Sequence, residues 1–196
     1  KLPPRVAPIQ VVIVPVAMHK EGVKEKAEEL YNSLSEKYRV ELDVREQYSP
    51  GYKFNDWEMR GVPVRIEIGP RDIEANKCVV VRRDTAEKID VSLDELTEKL
   101  NEILESIQKN MYEECKKNVE QKTTVATNMD EFTENLNNNQ GYVKTMWCGD
   151  AECEEKIHEL TGAKSRCMPF EQEKISDKCV YCGKPADKMV VWGRQY

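Results

Sequence analysis

The chain has 196 residues, a net charge of −6, and hydrophobic and charged fractions of 39% and 34%, which allow one substantial core or two modest ones in a very polar protein. No apolar run approaches the roughly 18 residues of a membrane-spanning helix, and the acidic balance excludes a protein that coats nucleic acid through general basic charge. Charge is unevenly spread, however: five of the ten arginines, Arg60, Arg65, Arg71, Arg82 and Arg83, fall between positions 60 and 83, while Ser92 to Glu120 is predominantly acidic.

The chain opens on "KLPPRVAP" with no basic-then-apolar leader, as expected of an internal piece of a longer polypeptide. "IQVVIVPV", Ile9 to Val16, is a short β-branched run between prolines and predicts a central strand covered on both faces. From Lys20 to Tyr38, Val23, Ala27, Leu30, Tyr31, Leu34 and Tyr38 recur at three- and four-residue steps, the apolar stripe of a helix on a sheet. "RVELDVR" alternates as a second strand, so strand, helix and strand predict a parallel βαβ unit. "YSPGYKF" reads as a turn, "FNDWEMRG" as a short helix ending at Gly61, and "VPVRIEI" and "CVVVRR" as two more strands of a small α/β layer reaching about Ile89. In "GVPVRIEIGPRD" the apolar Val62, Val64, Ile66 and Ile68 alternate with Arg65 and Glu67, which predicts one core face and one polar face before a Gly-Pro turn.

Ser92 and Glu95 have the spacing of a capping box, and Leu93, Leu96, Leu100, Ile103, Leu104, Ile107 and Met111 then mark a long amphipathic helix joining two domains. Beyond it come a short helix closing in an asparagine-rich turn and a strand, "YVKTMW". The boundaries expected are an α/β domain over 1–92, the connecting helix over 93–122 and a second domain over 123–196.

Seven cysteines without a secretory signal favour a reducing compartment, the cytoplasm, and a metal. "CGDAEC" separates Cys148 and Cys153 by four residues and "CVYC" separates Cys179 and Cys182 by two, gaps that let four thiolates converge on one tetrahedral zinc in a closed, structural site. A redox pair at "CVYC" is the rival reading, and it leaves the other pair unexplained. Cys78 and Cys115 read as incidental thiols, Cys167 lacks a close partner, and His158 reads as a surface residue.

Between Tyr52 and Asp72 the chain carries Phe54 and Trp57 beside Glu58, Arg60, Arg65, Arg71 and Asp72. A carboxylate can accept from the Watson-Crick edge of guanine, an arginine fork can meet its O6 and N7, and an aromatic ring can stack on a splayed base. The same composition also describes a core with a solvated rim, in which Trp57 is a core residue.

The segments "LPPRVAPIQVVIVPV", "YSPGYKFNDWEMRGVPVRIEIGPRD" and "VVVRRDTAEK" resemble the C-terminal region of prolyl-tRNA synthetases of the archaeal and eukaryotic type. The long helix, the cysteine quartet and the terminal "WGRQY" resemble that family's appended zinc-binding domain. The resemblance implies a small mixed sheet flanked by helices, the class II synthetase anticodon-binding fold, then a long helix and a small α+β zinc-binding domain. It implies a homodimeric ligase that joins proline to tRNA(Pro) using ATP and Mg in a preceding catalytic core of the same polypeptide. That core's arginine motifs have no counterpart here, so this chain is expected to bind tRNA and form no aminoacyl-adenylate alone.

Carried over by position, the resemblance implies RNA contacts at Phe54, Glu58, Arg65, Arg71, Asp72 and Lys88, and zinc ligands at Cys148, Cys153, Cys179 and Cys182. Some members carry lysine at the position of Arg71. The resemblance also places the carboxylate of Tyr196 near the active site of the complete enzyme. The alternative is an accessory or regulatory protein that uses the same fold to bind nucleic acid without aminoacylation.

Overall fold

The computed structural model describes residues 1–195; Tyr196, and with it the expectation for its carboxylate, lies outside the described residues. The chain divides into two compact units, Lys1–Glu113 and a second beginning at Glu114. No helix among the described residues is long and apolar enough to cross a membrane.

In the first unit, β1 (Val11–Pro15) lies at the centre and α1 (Val23–Ser35) carries the chain to β2 (Val40–Leu42). Helix α2 (Pro50–Met59) then leads to β3 (Val64–Ile68), after which come α3 (Pro70–Glu74), β4 (Lys77–Arg82) and β5 (Lys88–Ser92). The strand order is β2-β1-β3-β4-β5, with β1 parallel to both neighbours and β3, β4 and β5 mutually antiparallel. This is the expected βαβ unit in a mixed sheet. The long helix α4 (Leu96–Gln121) and α1 cover one face through Leu30, Leu34, Leu100, Leu104 and Ile107, packed on Val11, Ile13, Val64, Ile66 and Ile68. On the other face α2 lays Trp57 over Val12, Val14 and Val62.

That second cover corrects the expectation of a solvated polar face on β3. Arg65 is buried and Glu67 half-buried beneath α2. Val62, too, belongs to the α2 side and not to the face of Val64, because the strand begins only after Pro63. The turn expected at "YSPGYKF" is instead the first half of α2: Ser49 Oγ accepts from Tyr52 N at 3.3 Å and Pro50 takes the first helical position, where no donor is needed. The Ser92 capping box does not form; a single 3-10 turn over Leu93–Glu95 precedes α4, and the Ser92 side chain makes no capping bond. Helix α3 and strand β5, neither expected, are short and carry charged residues along exposed sides.

The second unit holds β6 (Thr123–Val125), α5 (Met129–Asn138), β7 (Tyr142–Trp147), α6 (Ala151–Thr161), β8 (Ala163–Cys167) and β9 (Lys188–Arg194). Its sheet runs β6-β7-β9-β8. The core gathers Phe132, Leu136, Val143, Ile157, Val190 and Trp192, with Phe132 edge-on to Trp192 and Trp192 Nε1 donating to Thr145 Oγ1 at 2.9 Å. The α5 helix and the "YVKTMW" strand match expectation; β6, β8 and β9 do not appear in the sequence reading.

Candidate nucleic-acid interface and metal centre

Helix α2 and strands β3 and β5 bring four of the six candidate RNA residues together, Phe54, Glu58, Arg65 and Lys88. Arg65 is the hinge of the group: Nη1 donates to Glu58 Oε1 at 2.7 Å, while Nε and Nη2 both donate to Glu67 Oε1 at 3.0 and 2.9 Å. Its guanidinium lies 4.2 Å from the centroid of Phe54, a cation-π contact, and Lys88 Nζ reaches Glu67 Oε2 at 3.6 Å from β5. The pairing follows from the fold, since Arg65 and Glu67 are two apart on one strand and therefore point the same way. Glu58 descends from α2 above them. The side chain of Glu58 is 40% exposed, against 12% for Glu67, so Glu58 is the acidic member more open to a partner.

Arg71 and Asp72 sit apart from this group, on α3 at the end of β3. Arg71 is exposed. Asp72 Oδ2 accepts from Gly69 N at 2.8 Å, so from the third position of α3 its side chain already reaches back to the N-cap backbone. Glu67, to which no role is given above, holds Arg65 through two N–H bonds.

A second charged group on the same face escapes sequence reading. The Asp43 carboxylate is buried and accepts from Arg45 Nε and Nη2 at 2.9 and 2.7 Å and from Trp57 Nε1 at 2.7 Å, with Lys53 Nζ 3.7 Å away. Burial alone would raise the Asp43 pKa, but the Arg45 and Trp57 hydrogen bonds and the Lys53 charge hold it down at about 2. The hydrogen bonds that Arg45 donates to Asp43, then to Asp56, keep it protonated well beyond its ordinary range. Trp57 is thus a core residue with its indole N–H spent on Asp43. The "DVR" spacing and Lys53 were the available signals, but short-range charge pairs look the same in a solvated loop.

In the second unit Cys148 directly follows the end of β7, and Asp150 two residues on caps α6, accepting from Glu152 N at 3.1 Å, which places Cys153 in the first turn. Gly149 makes that turn at φ 90°, where a Cβ would lie 2.6 Å from Lys188 Nζ. Cys179 and Cys182 stand on a tight turn in which Cys179 N donates to Lys184 O at 2.8 Å and Gly183 N to Cys179 O at 3.0 Å, Gly183 lying at φ 69°. Val180 N donates to Met146 O at 3.0 Å and so ties this turn to β7.

The four Sγ atoms lie within 4.8 Å of one another, and Cys148 is 3.7 Å from both Cys153 and Cys182. Four sulfurs at about 2.3 Å from a tetrahedral ion are separated by about 3.8 Å, so the donor set fits a metal such as zinc. The Lys184 backbone N–H lowers the Cys182 thiol to about 7, while burial raises that of Cys153. Cys78 is buried, Cys115 and Cys167 are exposed, and none of the three belongs to the cluster; His158 is a surface residue, as expected.

A family model described as "Anticodon binding domain" matches residues 10–103, and one described as "Prolyl-tRNA synthetase, C-terminal" matches residues 129–196. A proline–tRNA ligase of Clostridium botulinum is 58% identical over 196 residues, which is all of this chain and 41% of that protein. Those of Clostridium novyi and Ruminiclostridium cellulolyticum are 55% and 53% identical over 196 and 195 residues, again across all of this chain and 41% of the relative. The chain therefore spans about two fifths of the length of these curated relatives. With one model on each unit and end-to-end similarity to these ligases, the chain belongs to the prolyl-tRNA synthetase family.

Proposed function

We propose that the chain is the tRNA-binding portion of a proline–tRNA ligase: 1–92 reads the anticodon of tRNA(Pro), 93–122 connects, and 123–196 is a zinc-stabilised domain. The rest of the polypeptide supplies ATP, Mg and proline chemistry, and the complete enzyme works as a cytoplasmic homodimer. The observation that carries the reading is the Glu58 carboxylate, held from below by Arg65 yet open above, with Oε2 free of any hydrogen bond among the described residues.

A carboxylate oxygen has two acceptor sites, so Glu58 can keep Arg65 and still accept the two N–H groups on the Watson-Crick edge of guanine. Arg65, whose fork is already shared between two carboxylates, is a positioning residue that fixes Glu58 in place. Phe54, half-buried beside Arg65, offers a base the exposed part of its ring. Lys88 and Arg71, both exposed, supply positive charge for phosphate or for guanine O6. Asp72 accepts from Gly69 N with one oxygen and has the other left for RNA. In the second unit Cys148, Cys153, Cys179 and Cys182 hold zinc in a closed shell, which supplies structure and no open position for chemistry.

The test is a titration of the chain with a proline anticodon stem-loop and with loops whose two adjacent guanines are replaced by adenine, at several salt concentrations. Selective, salt-dependent binding of the guanine loop is expected, with each replaced base costing about 1–3 kcal/mol. Equal affinity for all loops contradicts the reading.

A further inference from the structure

Ahead of α2, the β2-α2 loop and the helix's first turn present two tyrosines that belong to no hydrophobic cluster. Tyr48 and Tyr52 stack with ring centroids 4.3 Å apart and planes at 15°, and they remain 37% and 51% exposed. Among the described residues no other ring and no cation lies over Tyr52, so its outer face is open.

Beside this stack Arg45 is held rigidly, its guanidinium 5.0 Å from the Tyr48 centroid, Nε and Nη2 bound to Asp43, and Nη2 also bound to Asp56 at 2.8 Å. Its Nη1 makes no hydrogen bond among the described residues. Arg45 also lines a cleft with His19, the exposed Lys24, Glu46 and Tyr48 at the carboxyl end of β1, while Lys53 in its wall is bound to Asp43. A fixed arginine with one free amino group, next to an open aromatic stack and a lysine-bearing cleft, is the equipment with which proteins hold unpaired nucleotides: a ring for the base and cations for the phosphate.

We propose that Tyr52, backed by Tyr48 and Arg45, stacks one unpaired nucleotide of the anticodon loop that lies outside the guanines read at Glu58. The inference rests on the RNA reading above. It favours RNA over another ligand because one helix carries both places. Tyr52 and Glu58 are six residues apart on α2, about 9 Å along its axis and on opposite flanks, so a loop lying across the exposed crest of the helix reaches both. The station adds affinity without choosing a base, since every base has a face to stack.

Titrations of the whole chain by fluorescence anisotropy test it, comparing wild type, Tyr52→Ala, Tyr52→Phe, Tyr52→Leu and Glu58→Ala. The probes are a proline anticodon stem-loop, the same loop with inosine for guanine, and loops with single abasic sites at each unpaired position other than the two guanines. Tyr52→Ala is expected to weaken binding about tenfold, within the range for one lost base stack, with the guanine-over-inosine preference unchanged. Tyr52→Phe retains affinity, Tyr52→Leu loses as much as alanine, and one abasic position costs the same and adds nothing to Tyr52→Ala. Affinity within twofold of wild type for Tyr52→Ala, or full recovery by leucine, overturns the station. If Glu58→Ala loses its guanine preference in that case, the anticodon reading survives alone. A wild-type chain that binds none of the loops removes both.

Discussion

The two units solve the same problem, polar groups drawn into an interior, with different means. The first satisfies its charges from its own chain: Asp43 meets Arg45, Lys53 and Trp57, and Arg65 meets Glu58 and Glu67. Among the described residues no buried side-chain nitrogen or oxygen lacks a partner. The second unit gathers four thiols at distances that suit an ion better than they suit one another. It is also the smaller unit, with a single small apolar core, so an ion bound at the four thiols would supply a large share of its stability. The first unit should therefore be stable by itself, and the second conditional on a metal.

The largest effect expected is that of a strong zinc chelator. Hydrogen exchange should show β7 and β9 losing protection while β1 and β3 keep theirs, because structural zinc contributes on the order of 10 kcal/mol in small domains. Joint loss in both units, or no loss in either, breaks the comparison. Next in size is Asp43→Ala, which leaves the buried Lys53 without its carboxylate and takes from the half-buried Arg45 one of its two partners. Thermal or urea unfolding of the first unit should register about 3–5 kcal/mol of destabilisation, the range for breaking one side of a buried ion pair.

A smaller effect follows from acid. The folded pKa of Asp43 is depressed, so its stabilisation is complete above the ordinary carboxylate value near 4 and is lost as pH falls toward about 2. Unfolding followed between pH 5 and pH 2 should show about 2 kcal/mol lost from the first unit, and Asp43→Asn should flatten that slope. A slope unaltered by the substitution would mean that other carboxylates carry the acid sensitivity. The smallest effect belongs to Lys88, which is exposed and pairs loosely with Glu67. Lys88→Ala should leave stability unchanged and lower the salt dependence of RNA binding by about one phosphate contact.

How much of this was legible in the sequence differs along the same line. The cysteine quartet reads directly, because a metal needs ligands at short, fixed spacings and those spacings survive in one dimension. The central strand, the α1 stripe and the α4 stripe read equally well from apolar periodicity. Arg65, Glu67, Asp43 and Arg45 do not: a charge under a helix and a charge in water look alike until the covering helix is placed. α2 itself was half hidden because Pro50 and Gly51 signal a turn, and only the Ser49 cap with proline at the first helical position turns them into a helix start. β8 is mostly exposed and has no apolar alternation, while β6 is three residues long, so neither leaves a pattern to find. Within the candidate site, Phe54, Glu58, Arg65 and Lys88 were nameable through family resemblance, and the hydrogen bonds that tie Arg65 to Glu58 and Glu67 were not.

The central claim is that Glu58, braced by Arg65, reads guanine, and the most direct measurement compares wild type and Glu58→Ala for binding of proline anticodon stem-loops containing guanine or inosine, which lacks the 2-amino donor. Wild type should prefer guanine, and Glu58→Ala should lose about 1–3 kcal/mol of affinity together with that preference while its unfolding curve stays in place. A Glu58→Ala chain that is folded, binds as tightly as wild type and still discriminates guanine from inosine would contradict the account.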